Sequence, residues 1–237
     1  MKERGILFSA PMVRALLAGT KTQTRRIVKL KSPDGEVYID PGGSIFGPGP
    51  YVKNYPPGYP SCSEPMHRRI RCPYGYPGDR LWVRETWNKF DAHPVEGDGI
   101  DPRRFGARAP LPGCEGDREI EWRAVYRADG EIVHLRYGAA RWKPGIHMPR
   151  WASRITLEVT GVRVERLHDI TEDGARAEGV AFGEMQDAIV NGEPGRVAFF
   201  SARDAFAYLW AGSNGSESWK ANPWVWVVEF KRIEVSP

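Results

Sequence analysis

Between Lys31 and Gly78 the chain carries 10 of its 20 prolines and 8 of its 26 glycines within 48 residues. Proline removes a backbone donor and fixes φ, and glycine frees the backbone. Pieces such as Pro41-Gly42-Gly43, Pro48-Gly49-Pro50 and Pro56-Pro57-Gly58 therefore interrupt helix and strand alike. A core has to come from the periodic segments on either side. Strand patterns resume directly after Gly78, so residues 31–77 read as an insertion within one domain of residues 1–237. Tyr51, Tyr55 and Tyr59 recur at four-residue spacing with prolines between them, which points to a packed or substrate-facing flap. A second insertion is expected over residues 88–118, and nothing repeats internally.

The flanking segments are regular. Ser9 suits a helix N-cap and Pro11 its first turn; Met12, Val13, Leu16 and Leu17 make an apolar stripe, and Gly19 ends the helix Ala10–Ala18. From Arg154 to Thr160 the chain alternates, with Ile155, Leu157 and Val159 on the apolar side. The phase flips at Gly161, which suggests a bulge or bend there. Asp169 or Thr171 can cap a helix running to Glu178, closed by Gly179. Ser201 and Asp204 resemble a capping box for the helix Ala202–Ala211, with Gly212 as its stop. Trp224 to Val228 is apolar on both faces and is expected to be a central strand. Mixed strands with short helices give an α+β class.

Charge is a weak guide, since 34 basic against 30 acidic residues leave a net +4. The kind of base says more: 25 of the 34 are Arg, which suits phosphate forks and stacking on bases, although a GC-rich genome inflates Arg as well. No apolar run approaches the ~18 residues of a membrane span, and no signal-peptide core opens the chain, so a cytoplasmic protein without a membrane partner is expected. Cys62, Cys72 and Cys114 cannot all pair among themselves, which fits a reducing compartment. With His67 they could form a zinc set, but the absence of any Cys-x-x-Cys spacing argues against one, and neither metal nor cofactor is expected.

Gly19-Thr20-Lys21-Thr22-Gln23-Thr24-Arg25-Arg26 gathers one amine, three hydroxyls and two guanidiniums within eight residues. If it is extended, Lys21 and Gln23 face one way and Thr22 and Thr24 the other; if it turns at the glycine, Lys21 and Thr24 can converge. A neutral Lys beside a Thr hydroxyl can activate it as a nucleophile. The competing reading is a solvated edge strand.

This motif, placed after Ile6-Leu7-Phe8 and the first helix, resembles the ASCH domain, a PUA-like fold. Gly78-Asp79-Arg80-Leu81-Trp82-Val83, Ile155–Val164 with Leu167-His168-Asp169-Ile170-Thr171-Glu172, and Trp224–Phe230 resemble three further segments of that family in the same order. The resemblance covers roughly half the chain and implies a PUA-like mixed β pseudo-barrel with flanking helices. Small bacterial members are similar at Lys21, Thr24 and Arg26 and at the segment Leu167–Gly179; they hydrolyse N4-acetylcytidine with a Lys, Thr and Glu set. Carried across, Lys21, Thr24 and Glu178 are the catalytic candidates, and Arg26 supports the site or the substrate. This chain is more than twice as long, and the excess brings aromatics and Arg. Arg150 and Trp151, with Thr22, are added as candidate substrate-binding residues by virtue of stacking and phosphate grip. Glu85 is a rival to Glu178 for the acid.

The chemistry implied is hydrolysis of the exocyclic amide of an N4-acylated cytidine or related modified nucleoside or nucleotide. Either Thr24 attacks with Lys21 as base, or water attacks with Glu178 as base and Thr24 as a donor. For Lys21 to act as base its pKa has to fall well below ~10.4, which burial or a neighbouring cation such as Arg25 or Arg26 would bring about. The alternative from another class is a non-catalytic RNA-binding module, with ribonuclease activity a more distant third. A monomer is expected.

Overall fold

The computed structural model describes residues 1–29, 36–40, 49–54, 66–91, 106, 109, 113–115, 118–120, 122–130, 133–134, 138–139, 141–180, 185–190 and 193–233. In chain order the first strands are β1 (Glu3–Leu7), β2 (Gln23–Ile27), β3 (Glu36–Asp40), β4 (Gly49–Asn54) and β5 (Met66–Arg69). Next come β6 (Arg80–Arg84), β7 (Trp87–Asp91), β8 (Gly113–Glu115), β9 (Arg118–Ile120), β10 (Trp122–Tyr126), β11 (Val133–His134) and β12 (Gly138–Ala139). The last are β13 (Thr156–Arg166), β14 (Met185–Val190), β15 (Glu193–Ala198) and β16 (Trp224–Ile233). Among the described residues four α-helices accompany them: α1 (Ala10–Leu17), α2 (Glu172–Ala177), α3 (Ala202–Asn214) and α4 (Glu217–Lys220). The class is α+β, as the segment patterns implied.

The chain divides into two compact units. The first comprises Met1–Thr20, Gly78–Val159 and Lys231–Pro237; the second comprises Lys21–Pro77 and Thr160–Phe230. The boundary falls inside β13 and again near the end of β16.

In the first unit β1 runs parallel to β6, and β6 pairs antiparallel with the start of β13, Trp82 opposite Thr156. Alternation along β6 buries Leu81 and Val83 and leaves Arg80, Trp82 and Arg84 half-buried. Helix α1 starts after Ser9, whose side chain makes no cap hydrogen bond, and carries Pro11 in its first turn. Only Val13 and Leu16 of the expected stripe are buried; Leu17 is exposed. A separate cluster of Trp87, Ala124, Tyr126, Met148 and Ala152 forms around the antiparallel pair β7–β10. Trp87–Asp91 pairs regularly with Trp122–Tyr126, so the stretch beyond Asn88 opens as a strand.

In the second unit the rest of β13, β16 and β2 lie side by side, so the long strand and the closing strand belong to one sheet. Val225 to Val228 are buried, in keeping with a central strand. Val225 and Val227 point to the face covered by α2 and α3, where they meet Leu167, Ile170, Ala175, Ala202, Phe206 and Trp210. Each large apolar side chain buried there contributes about 1.5–3 kcal/mol before entropy is counted. Thr171 caps α2, accepting from the Gly174 N–H, while Asp169 accepts from the Arg166 N–H instead. Ser201 caps α3 through the Asp204 N–H. Gly212 does not stop α3: the helix continues to Asn214 and ends at Gly215, whose φ of 91° only glycine adopts without strain. Gly161 lies within an unbroken β13, where a Cβ would come 2.5 Å from a Glu229 carboxylate oxygen at the movable end of a side chain 44 % exposed.

The three-stranded sheet β3-β4-β5 shows that the Pro/Gly-rich stretch holds regular structure at Glu36–Asp40, Gly49–Asn54 and Met66–Arg69. Tyr55 and Tyr59 lie outside the described residues, as does Cys62, and of Tyr51, His67 and Cys114 only the backbone is described. The strand order within each unit is open, and among the described residues no barrel closes. No described helix is long and apolar enough to cross a membrane.

Candidate active site

The site grows from β2 and the end of α2. Lys21 forms an isolated antiparallel bridge with Glu178, and the neighbouring Thr22 N–H donates to the Ala177 carbonyl at 2.8 Å. The Thr22 carbonyl accepts from the Phe230 N–H at 2.9 Å, which extends the β2–β16 register without slip. The segment is thus extended, and the turned alternative is not adopted. Lys21, Gln23, Thr24 and Arg25 are all 5 % exposed or less and Arg26 is half-buried, which rules out a solvated strand, although Thr22 is exposed.

Glu178 is the C-cap of α2. A carboxylate there opposes the helix dipole, and two cations compensate. Lys21 Nζ donates to Glu178 Oε2 and to the Glu178 carbonyl, both at 2.8 Å. Arg25 Nη1 donates to the other carboxylate oxygen at 3.2 Å. Arg25 is itself held by Glu165 of β13, through Nε at 3.1 Å and Nη2 at 2.5 Å. Glu165 then accepts from Arg163 at 3.0 Å, and Arg163 pairs with Glu229. The result is a line of six alternating charges, Lys21–Glu178–Arg25–Glu165–Arg163–Glu229. It passes from a Lys side chain with no exposure to a Glu side chain 44 % exposed. Gln23 anchors the same face by donating to the Gly174 carbonyl at 2.6 Å. A Cβ on Gly174 would come 3.2 Å from Arg25 Nη2, so the small residue lets α2 lie against this arginine.

Burial pushes the Lys21 amine below its usual pKa; the Glu178 carboxylate opposes that shift, and the Arg26 and Arg25 cations reinforce it. A lysine held this way is biased towards the neutral amine that general-base chemistry needs.

Lys21 and Glu178 are therefore brought together, but Thr24 is not part of the hydrogen-bonded set. It pairs with Val228 across β2–β16, and alternation places it with Thr22 and Arg26 on the face opposite Gln23 and Arg25. Arg26 is half-buried and close enough to act electrostatically on both Lys21 and Tyr74; burial raises the Tyr74 phenol, and Arg26 counters it. Arg150 and Trp151 belong to the first unit. There Arg150 pairs with Glu3 at 2.8 Å, and Trp151 meets Trp87 edge-on at 5.7 Å. Glu85, the rival acid, is also in the first unit and is gripped by Arg154 through both oxygens, at 3.0 and 3.1 Å. Among the described residues no three His, Cys, Asp or Glu side chains cluster as a metal site would need; Cys72 is buried and not in a disulfide.

Sequence reasoning missed Glu165 entirely. Its signal was present but faint: it is an acidic residue in the second half of β13, and nothing in the linear chain ties it to an arginine 140 positions away. Comparison with family models, curated proteins and solved structures found no match for this chain.

Proposed function

We propose that the chain hydrolyses the exocyclic amide of an N4-acylated cytidine or a related modified nucleoside, with Lys21 and Glu178 handling the proton. The observation that carries this reading is the 2.8 Å contact between a fully buried lysine amine and a buried carboxylate that also meets Arg25. Neutral Lys21 takes a proton from the attacking water as its oxygen bonds to the acyl carbon. When the C–N bond breaks, Lys21 returns the proton to the cytosine nitrogen, giving the free exocyclic amine and a carboxylic acid, which then loses its own proton to solvent. Glu178 orients the amine and balances its transient charge. Water is the attacking group in this scheme because Thr24 sits on the other face of β2, away from the Lys21–Glu178 contact. Arg26 shares the Thr24 face of β2, and its part in this scheme is the electrostatic one of favouring the neutral Lys21 amine. The order of the four segments similar to the ASCH family supports a PUA-like arrangement of these strands.

A second reading, a non-catalytic RNA-binding module, draws on cations stacked over tryptophans. Arg166 lies 4.4 Å from the Trp224 ring centre in the second unit, and Arg84 lies 5.3 Å from that of Trp82 in the first. Incubation with a panel of N4-acylated cytidines and cytosines in the presence of a chelator, read by mass change, separates the two. Loss of the acyl mass is expected. Salt-sensitive RNA binding without any mass change would favour the second reading.

A further inference from the structure

The proposed chemistry uses Lys21 and Glu178 but leaves unexplained why Arg25, only 2 % exposed at its side chain, is buried beside them. A buried arginine is costly unless its donors are satisfied, and here they serve two carboxylates on different elements. Nε and Nη2 go to one oxygen of Glu165 on β13, and Nη1 goes to Oε1 of Glu178 at the end of α2. Glu178 thus splits its carboxylate, Oε1 to Arg25 and Oε2 to Lys21. A guanidinium is planar, so fixing two of its nitrogens on Glu165 also fixes the direction of the third. The guanidinium lies 5.8 Å from the centre of the Phe206 ring, which limits its sideways movement. Glycine at 174 supplies the space the fork occupies.

We propose that Arg25 and Glu165 are positioning residues for the Lys21–Glu178 pair: Glu165 clamps the guanidinium, and the guanidinium fixes one Glu178 oxygen so that the other is presented to the Lys21 amine. This rests on the amidohydrolase reading for its purpose, but the alignment itself can be tested without substrate. The charged groups acting on Lys21 are Glu178 from the end of α2 and Arg25 and Arg26 from β2. Behind Arg25 stands Glu165, followed by Arg163 and Glu229. Removing the Glu165 charge leaves Arg25 less neutralised, so Lys21 releases its proton more easily. Removing the Arg25 charge does the reverse.

The experiment follows the Lys21 side chain by NMR of the full-length protein labelled at lysine Cε, with the Lys21 signal assigned by its loss in Lys21→Arg. Glu165→Gln is expected to lower the Lys21 titration midpoint by about half a pH unit and Arg25→Met to raise it by about one unit, opposite in sign. A structural role alone would let water into the site in both variants and move both midpoints up, towards the ordinary lysine value. A rise, or no movement, in Glu165→Gln overturns the proposal. Should Arg25→Met fail to fold, Glu165→Gln decides alone; its side chain is isosteric and the native Glu165 is 18 % exposed. In wild type and Glu165→Gln, the acid limb of the hydrolysis rate should move with the midpoint. Opposite-sign shifts in a protein that hydrolyses no amide would uphold the alignment and remove the amidohydrolase reading. Hydrolysis with same-sign shifts would do the opposite.

Discussion

Each of the two units buries a glutamate against an arginine, and the two networks differ in how the carboxylate is shared. In the first unit both oxygens of Glu85 go to Arg154, which also forks onto Asp129 at 2.9 Å and lies 3.9 Å from the Tyr126 ring centre. In the second, Glu178 gives one oxygen to Arg25 and the other to Lys21. Arg154 cannot shed its proton at any accessible pH, so it offers Glu85 no base to take up a proton. Lys21 can, and burial favours that loss. A buried carboxylate can work with a base when one of its partners can change protonation state; a second arginine in place of Lys21 would have left Glu178 without such a partner.

The comparison breaks most visibly at Arg154. Arg154→Ala leaves Glu85, 1 % exposed, as a buried charge without its fork, and should destabilise the first unit by about 3–5 kcal/mol in urea unfolding. The folded fraction should keep its turnover. A cost below about 1 kcal/mol would mean that this network does not hold the fold together.

Thr24→Val tests which group attacks. The substitution keeps shape and burial while removing the hydroxyl. With Thr24 on the far face, hydrolysis should persist within about threefold, well short of the ~10²–10⁴ expected for losing a proton-transfer group. A loss of that larger size would restore Thr24 as nucleophile and require the strand to rearrange on substrate binding.

The smallest effect is in pH. Burial raises the Glu85 carboxyl above its usual range, with Arg154 opposing. The folded state therefore binds this proton more tightly than the unfolded chain. The resulting stability is full below the ordinary carboxyl pKa of ~4.5 and is lost as pH rises through the raised folded value. Relative to Glu85→Gln, wild type should lose stability across that window, by at most about 1.4 kcal/mol per pH unit. A difference that stays flat with pH would show that Glu85 remains ionised throughout. Lys21 contributes in the opposite sense: its depressed pKa adds stability as pH rises from the lowered folded value towards ~10.4.

Much of this was legible in the linear chain because it depends on local rules. The apolar run Trp224–Val228 announced a central strand, Thr171 and Ser201 announced their helices, and the Lys21 motif drew attention to β2. Alternation along Lys21–Thr24 even gave the correct facing once the strand proved extended. Non-local pairing was out of reach. Glu165 meets Arg25 because β13, β16 and β2 lie side by side, and strand order is not encoded in any single strand's pattern. Gly212 misled because glycine in a helix interior costs only about 1 kcal/mol, which the packing of Phe206 and Trp210 outweighs.

The central claim is that Lys21 acts by giving and taking a proton and not by its charge alone. The most direct test is the initial rate of acetate release from N4-acetylcytidine, with chelator present, for wild type against Lys21→Arg. The arginine keeps the cation beside Glu178 but cannot serve as base. We predict a fall of about 10³-fold with the fold intact by circular dichroism. Turnover in Lys21→Arg within tenfold of wild type would contradict the account.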